Sequence, residues 1–190
     1  MATILMLYGT TEGYTRKITD FLVEFARGQG HTVREVAVES VKSAEALIEV
    51  DGILLAASVH MGQHSQAVRD LVKQHRDRLN DVITAFLSVS MSAANAQRTS
   101  VAEGYVDALL KETGWTPTLR AISGGALLYS QYGFLTRLIM KRIARQEGMP
   151  TDTKRDYEFA DWEQLRRFAA QFLDAVQENA SALLAEAGCG

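Results

Sequence analysis

Short apolar runs of strand length alternate along this chain with longer amphipathic stretches, and few folds accommodate that alternation. The apolar runs are Thr3 to Leu7, Thr32 to Val38, Gly52 to Ala57, Ile83 to Val89 and Leu119 to Ser123. Between them, apolar side chains recur at helical spacing: Ile18, Phe21, Leu22 and Phe25, then Val68, Leu71, Val72 and His75. A further helix is expected from Thr99 to Thr113, stopped by Gly114, and a short one over Ser43 to Glu49. The last helix should start at Asp161, an N-cap followed three residues later by Gln164, and bury Leu165, Phe168, Ala169, Phe172, Leu173 and Val176. Strands alternating with helices in this way predict an α/β, doubly wound, five-stranded parallel sheet with helices on both faces. The run through Ile53, Leu54 and Leu55 is apolar on both sides and reads as a central strand. Ala126 to Tyr157 is not needed to complete such a sheet and reads as an insertion after the fifth strand.

With 190 residues, the chain fits one domain, 1–180 including the insertion 126–157, and a small-residue tail, 181–190, expected to fray. A domain of this size buries roughly 70% of its unfolded surface, so it needs neither disulfide nor structural metal. Cys189 is the only cysteine, which suits a reducing compartment. No basic segment precedes Thr3 to Leu7, so this run reads as a strand and not as a leader. No apolar run approaches the ~20 residues that span a bilayer. The expected location is the cytoplasm, or the cytoplasmic face of the inner membrane as a peripheral protein. A net charge of −3 argues against general nucleic-acid binding.

In a doubly wound sheet, ligands bind beyond the carboxyl ends of the strands. The loop after the first strand is Thr10-Thr11-Glu12-Gly13-Tyr14-Thr15, and a helix follows at once. Its three threonine hydroxyls and the backbone N–H groups of a helix start suit one phosphate monoester, with Gly13 allowing close approach. Gly9 and Gly13 are four apart and no Lys follows, so a triphosphate loop of the form G-x-x-x-x-G-K-S/T is excluded. The dinucleotide pattern G-x-G-x-x-G fails as well. The plainer alternative is a polar turn in which Thr10 or Thr11 caps the helix.

This loop resembles that of the flavodoxin superfamily, approximately Ser/Thr-x-Thr-Gly-x-Thr after the first strand, matched here at Thr10, Gly13 and Thr15, with Glu12 where Thr is usual. The resemblance implies FMN as cofactor, and two further loops bordering its ring. One contains Ser58, Val59, His60, Met61 and Gly62, the other Ser90, Met91, Ser92 and Ala93. Neither loop contains Trp, Tyr or Phe, which would leave one ring face open and fits an enzyme better than an electron shuttle. A narrower resemblance runs from Thr3 to Phe172. It rests on Ala57 to His64, His75 with Arg78-Leu79-Asn80, Gly125-Ala126-Leu127 with Tyr129 and Tyr132, Thr151-Asp152-Thr153-Lys154, and Asp161-Trp162-Glu163-Gln164. In that order they look like the bacterial, flavodoxin-like, quinone-dependent protoporphyrinogen IX dehydrogenases. The chain departs from that family at Val59 and Leu128, where Arg or Tyr is common. The resemblance implies transfer of electrons from protoporphyrinogen IX through FMN to a membrane quinone, in heme biosynthesis. An FMN electron carrier, a general quinone reductase and a flavin-free membrane-docking module are the alternatives. No catalytic acid or base is assigned.

His60 and His64, four apart near a helix start, have no Cys or carboxylate close by, and no metal site is expected. His60 could assist proton transfer or simply hold its loop. His75 reads as a packing residue, Trp115 and Trp162 as core or interface aromatics, and Tyr129 and Tyr132 either as such aromatics or as flanking flavin or substrate. Only the backbone of Glu12 is expected to face the phosphate. Within 134–146, Leu135, Leu138, Ile139 and Ile143 form one stripe, and Arg137, Lys141 and Arg145 another with Arg142 at the boundary. Such a helix could rest on an anionic membrane surface or pack on its own domain.

Overall fold

The computed structural model describes residues 1–41, 43, 47–146 and 148–187. Five parallel strands form the main sheet: β1 (Thr3–Gly9), β2 (Thr32–Ala37), β3 (Gly52–His60), β5 (Ile83–Ser90) and β6 (Leu119–Gly124), in the order β2-β1-β3-β5-β6. Helices α1 (Tyr14–Gly28) and α6 (Trp162–Ala187) pack on one face, and α2 (Gln66–Gln74), α3 (Arg76–Asp81) and α4 (Thr99–Thr113) on the other. Alternation along each strand builds both cores. Ile4 and Met6 of β1 join Leu54 and Ala56 of β3 under α1 and α6, while Leu5 and Leu7 join Ile53 and Leu55 under α2 to α4. Gly52 is required here, because a Cβ would stand 2.5 Å from the Val176 side chain.

Several elements differ from expectation. The helix through His75 is two helices, and His75 sits buried at their junction, receiving the Leu79 N–H at 2.9 Å. The short helix expected over Ser43 to Glu49 falls largely outside the described residues. The last helix does not stop near Ser181 but continues to Ala187, since Ala, Leu and Glu favour the helix and the Ser181 hydroxyl bonds the Gln177 carbonyl at 2.9 Å. Its start is as expected: the Asp161 carboxylate accepts the N–H groups of Glu163 and Gln164, each at 3.0 Å. The insertion is closed at its base by an antiparallel pair, β7 (Ala126–Leu127) and β8 (Tyr157–Glu158), and carries helix α5 (Phe134–Gln146). Its Leu127, Leu128, Tyr129, Tyr132 and Ala144 extend the α1/α6 core.

The segment after Ala57 is a hairpin, not a loop leading into a helix. β3 continues to His60, and β4 (Gln63–His64) returns antiparallel, pairing Val59 with His64 and His60 with Gln63. Met61 and Gly62, at φ 51° and 81°, make the two-residue turn. His60 is exposed, whereas His64 is buried against Phe86 and exchanges a 3.0 Å hydrogen bond with Ser88. Burial, and next the Arg69 charge, push the His64 pKa down to about 4. The unfolded chain therefore binds a proton near pH 6.5 that the fold refuses until about pH 4, so this site costs stability as pH falls through that window. Urea unfolding between pH 4.5 and 7 should show stability rising with pH more steeply in wild type than in His64→Gln, by up to about 1.4 kcal/mol per pH unit. Equal slopes would show that His64 titrates normally.

Candidate functional site

The strand order reverses between β1 and β3: α1 leaves β1 on one face, and the chain after β3 turns to the other. Beyond the carboxyl ends at this switch point lies a cleft of ≈ 100 Å³. It is lined by Thr10, Thr11, Glu12, Tyr14 and Thr15 after β1, by Ser58, Val59 and His60 of β3, and by Val89, Ser90 and Met91 at the end of β5. Gly125, Ala126 and Met140 complete it. A larger groove of ≈ 390 Å³ runs between α4, β6 and α6. It lies along the side of an edge strand and gathers none of the phosphate-loop residues, so topology favours the smaller cleft.

The phosphate loop is built by glycine. Gly9 ends β1 where a Cβ would stand 2.6 Å from the Val68 side chain. Gly13, at φ 83°, turns the chain into α1 in the left-handed region. As N-cap, Gly13 brings no capping side chain, so the first N–H groups of α1 are left uncapped at the cleft. The Thr10 hydroxyl accepts the Gly13 N–H at 2.9 Å, which shapes the turn without capping the helix itself. Thr15 is 1% exposed. No Lys or Arg lines the cleft. The donor set is therefore dipolar, and it fits a phosphate monoester held by N–H groups and hydroxyls.

Glu12 adds a carboxylate to this loop, lining the cleft while bonded to the insertion. Tyr132 donates its hydroxyl to Glu12 Oε2 at 2.7 Å, and Leu128 N–H in turn reaches the Tyr132 oxygen at 3.4 Å. Burial, then the Glu12 hydrogen bond and charge, push the Tyr132 phenol far above its ordinary range, so it stays protonated. Burial, followed by the Glu158 charge, pushes Tyr14 up to about 12, with a backbone contact from Ala160 pulling the other way. Lys17 of α1 closes a second link to the insertion, meeting both Glu158 oxygens at 2.6 and 2.8 Å.

Of the residues singled out in sequence, ten line the cleft: Thr10, Thr11, Glu12, Tyr14, Thr15, Ser58, Val59, His60, Ser90 and Met91. Gly13 shapes the loop behind it. Met61 stands 88% exposed at the hairpin tip, with Gly62 beside it facing Tyr105. Ser92 approaches the Tyr105 hydroxyl at 3.5 Å, and the Ala93 N–H donates to Ser90 Oγ at 3.2 Å. These four are outside the cleft lining. Tyr129 and Tyr132 do not flank the cleft either. They pack edge to face inside the insertion, with Tyr129 donating to the Pro150 carbonyl at 3.2 Å.

Sequence reasoning missed Gly125, Ala126 and Met140 as parts of the cleft wall. Gly125 reaches the cleft because its N–H bonds the Ser90 carbonyl at 3.0 Å and its carbonyl receives Phe159 N–H, also at 3.0 Å. The pair Gly124-Gly125 at a strand end was the available signal. Met140 arrives with α5, on the face opposite the apolar stripe. That stripe is not packed on the domain: Phe134, Leu135, Leu138, Ile139 and Ile143 are 76, 74, 52, 59 and 38% exposed. Arg137 does not belong to a free basic stripe. Its guanidinium donates to the Tyr129 and Tyr132 carbonyls, both at 3.1 Å, and pins α5 to the turn before it.

The flavodoxin domain family matches residues 5–154. A protoporphyrinogen IX dehydrogenase [quinone] of Leishmania major is 31% identical over 169 residues, covering 88% of this chain and 73% of that protein. The protein of the same name from Escherichia coli is 30% identical over 168 residues, covering 88% and 92%. Among solved structures, oxidised Flavodoxin 1 from Bacillus cereus aligns at TM-score 0.52 and 16% identity, over 90% of this chain and 97% of that one. The WrbA-like flavodoxin of Agrobacterium tumefaciens aligns at TM-score 0.55 and 14% identity, over 94% and 99%. These structures establish the flavodoxin-like fold, a five-stranded parallel sheet flanked by helices. The chain thus belongs to the flavodoxin domain family and, within it, to the oxidoreductase family of the quinone-type protoporphyrinogen IX dehydrogenases.

Proposed function

We propose that this chain is an FMN-dependent oxidoreductase that takes electrons from protoporphyrinogen IX and passes them to a membrane quinone. The observation that carries this reading is the cation-free phosphate cleft at the switch point between β1 and β3, in a chain of this family. The uncapped N–H groups at the start of α1 and the hydroxyls of Thr10, Thr11 and Thr15 would hold the FMN phosphate. The carboxyl ends of β3 and β5, with Ser58 to His60 and Ser90 to Met91, would border its ring. Bound FMN supplies redox chemistry that no side chain here can perform. The walls beyond the phosphate loop offer Ser, Val, His, Met, Gly and Ala but no Phe, Tyr or Trp, which leaves room for a flat substrate beside the cofactor.

The quinone side of the reading rests on α5. Its outward surface joins Phe134, Leu135, Leu138 and Ile139 with exposed Arg142 and Arg145, while Met140 on its inner side lines the cleft. An apolar ridge with basic neighbours is the pattern of a helix lying in a lipid interface. Anionic lipid is the matching surface, and a lipid-soluble quinone would reach the cleft past Met140. No helix among the described residues is long and apolar enough to cross a membrane.

Purified protein should be yellow and should oxidise protoporphyrinogen IX faster when a quinone is added, followed by the fluorescence of the porphyrin formed. Flavin-loaded protein with no quinone-dependent rate would refute the assigned substrate pair. Thr15→Val removes a hydroxyl from the phosphate loop at nearly constant volume, so FMN titrated into apoprotein should bind about 1–3 kcal/mol more weakly. Unchanged affinity would move the phosphate elsewhere. On anionic vesicles, wild type should co-sediment at low salt and less as salt rises, since each basic residue contributes about 1 kcal/mol near the surface. Arg142→Glu with Arg145→Glu should abolish most of that binding. Equal sedimentation of both proteins would remove α5 from the membrane.

A further inference from the structure

Within the phosphate loop, the Glu12 carboxylate works against the rest of the loop's chemistry. Uncapped N–H groups and threonine hydroxyls favour an anion, yet a like charge one residue from Gly13 would repel a phosphate that carries nearly two charges of its own. The insertion supplies the answer to that conflict, from a residue 120 positions away in sequence. Tyr132 is 7% exposed, and its oxygen is approached by the Leu128 N–H, which leaves its own proton to point at Glu12. Its place is fixed from three sides. The Tyr129 ring stands edge-on at 6.0 Å, Arg137 holds the Tyr132 carbonyl at 3.1 Å, and Lys17–Glu158 ties α1 to the base of the insertion.

We propose that Tyr132 is a positioning residue for phosphate recognition: its hydroxyl holds the Glu12 carboxylate turned away from the anion-binding N–H groups, and thereby sets the preference of the cleft for FMN over riboflavin. This inference rests on the reading of the cleft as an FMN site. It assigns to the insertion a role in the cofactor site that is separate from any contact with substrate or lipid. With the hydroxyl removed, Glu12 loses its hydrogen bond to the insertion and its charge is free to turn toward the phosphate.

Apoprotein titrated with FMN and with riboflavin, followed by flavin fluorescence, separates this role from simple packing. Tyr132→Phe should weaken FMN about tenfold, the equivalent of 1.4 kcal/mol, and leave riboflavin within about twofold of wild type. Adding Glu12→Gln to that variant removes the charge and should return FMN to within about threefold of wild type. Equal losses for FMN and riboflavin, or no recovery in the double variant, would overturn the proposal and leave Tyr132 a packing residue. Should Tyr132→Phe fail to fold, Glu12→Gln alone decides. It keeps the acceptor and removes the charge, so FMN should bind as tightly as in wild type or tighter, and a loss beyond about threefold would overturn the proposal. Wild-type protein that takes up no FMN would overturn the cofactor reading, and this inference with it.

Discussion

Everything at the site depends on β1 lying between two strands, β2 and β3, whose connections leave it on opposite faces of the sheet. Parallel strands need crossovers, and crossovers of one hand can cover both faces only if the chain reverses its direction of winding somewhere. At that reversal the loops part, and the start of α1 carries no side-chain cap. Gly9 and Gly13 sharpen the effect. The first lets β1 end hard against Val68, and the second starts α1 without a capping side chain. On the proposed reading, an anion site would be the direct result of that topology.

The insertion adds to what the site beyond β1 and β3 can do. It is anchored at its base by the β7/β8 pair and to the phosphate loop by Glu12–Tyr132 and Lys17–Glu158. The exposed Lys17–Glu158 pair contributes little energy, but it fixes direction, and the half-buried Tyr132 bond contributes specificity. Leu127, Leu128, Tyr129 and Ala144 bury the inner side of the insertion in the same core that holds α1 and α6. The loop after β1, the insertion and the cleft wall at Met140 are therefore packed and bonded together, not joined as a site with a loose appendage.

Much of this was readable in the sequence, for reasons tied to range. The five parallel strands follow from apolar runs, and the start of α6 from Asp161, because periodicity and capping are local. The turn after β1 and the start of α1 were readable for the same reason, since both lie within six residues. The hairpin through Met61 and Gly62 was not. Its register depends on two residues, one of them a Met in a left-handed conformation that no turn preference favours. The split at His75 and the docking of Met140 were hidden because both are set by tertiary packing. The hydrophobic periodicity of α5 was visible, but which face would turn inward was not. Its small inner side, with Ala144 and Met140, is the side that packs, and its larger apolar side faces outward.

That inversion is the part of the structure that most needs a physical reason. Five large apolar side chains on one short helix stay in water, although rotating the helix would bury them. The rotation is opposed, because Arg137 holds the Tyr129 and Tyr132 carbonyls and Ala144 is buried in the α1/α6 core. A fold that locks a helix in this orientation keeps its apolar ridge available for something else. The same helix presents Met140 to the cleft, so the ridge and the cleft are separated by one helix diameter, about 10 Å. On the proposed reading, a lipid-soluble acceptor at the surface beneath the ridge would have only that width to cross. A helix rotated to satisfy its own hydrophobicity would close that route.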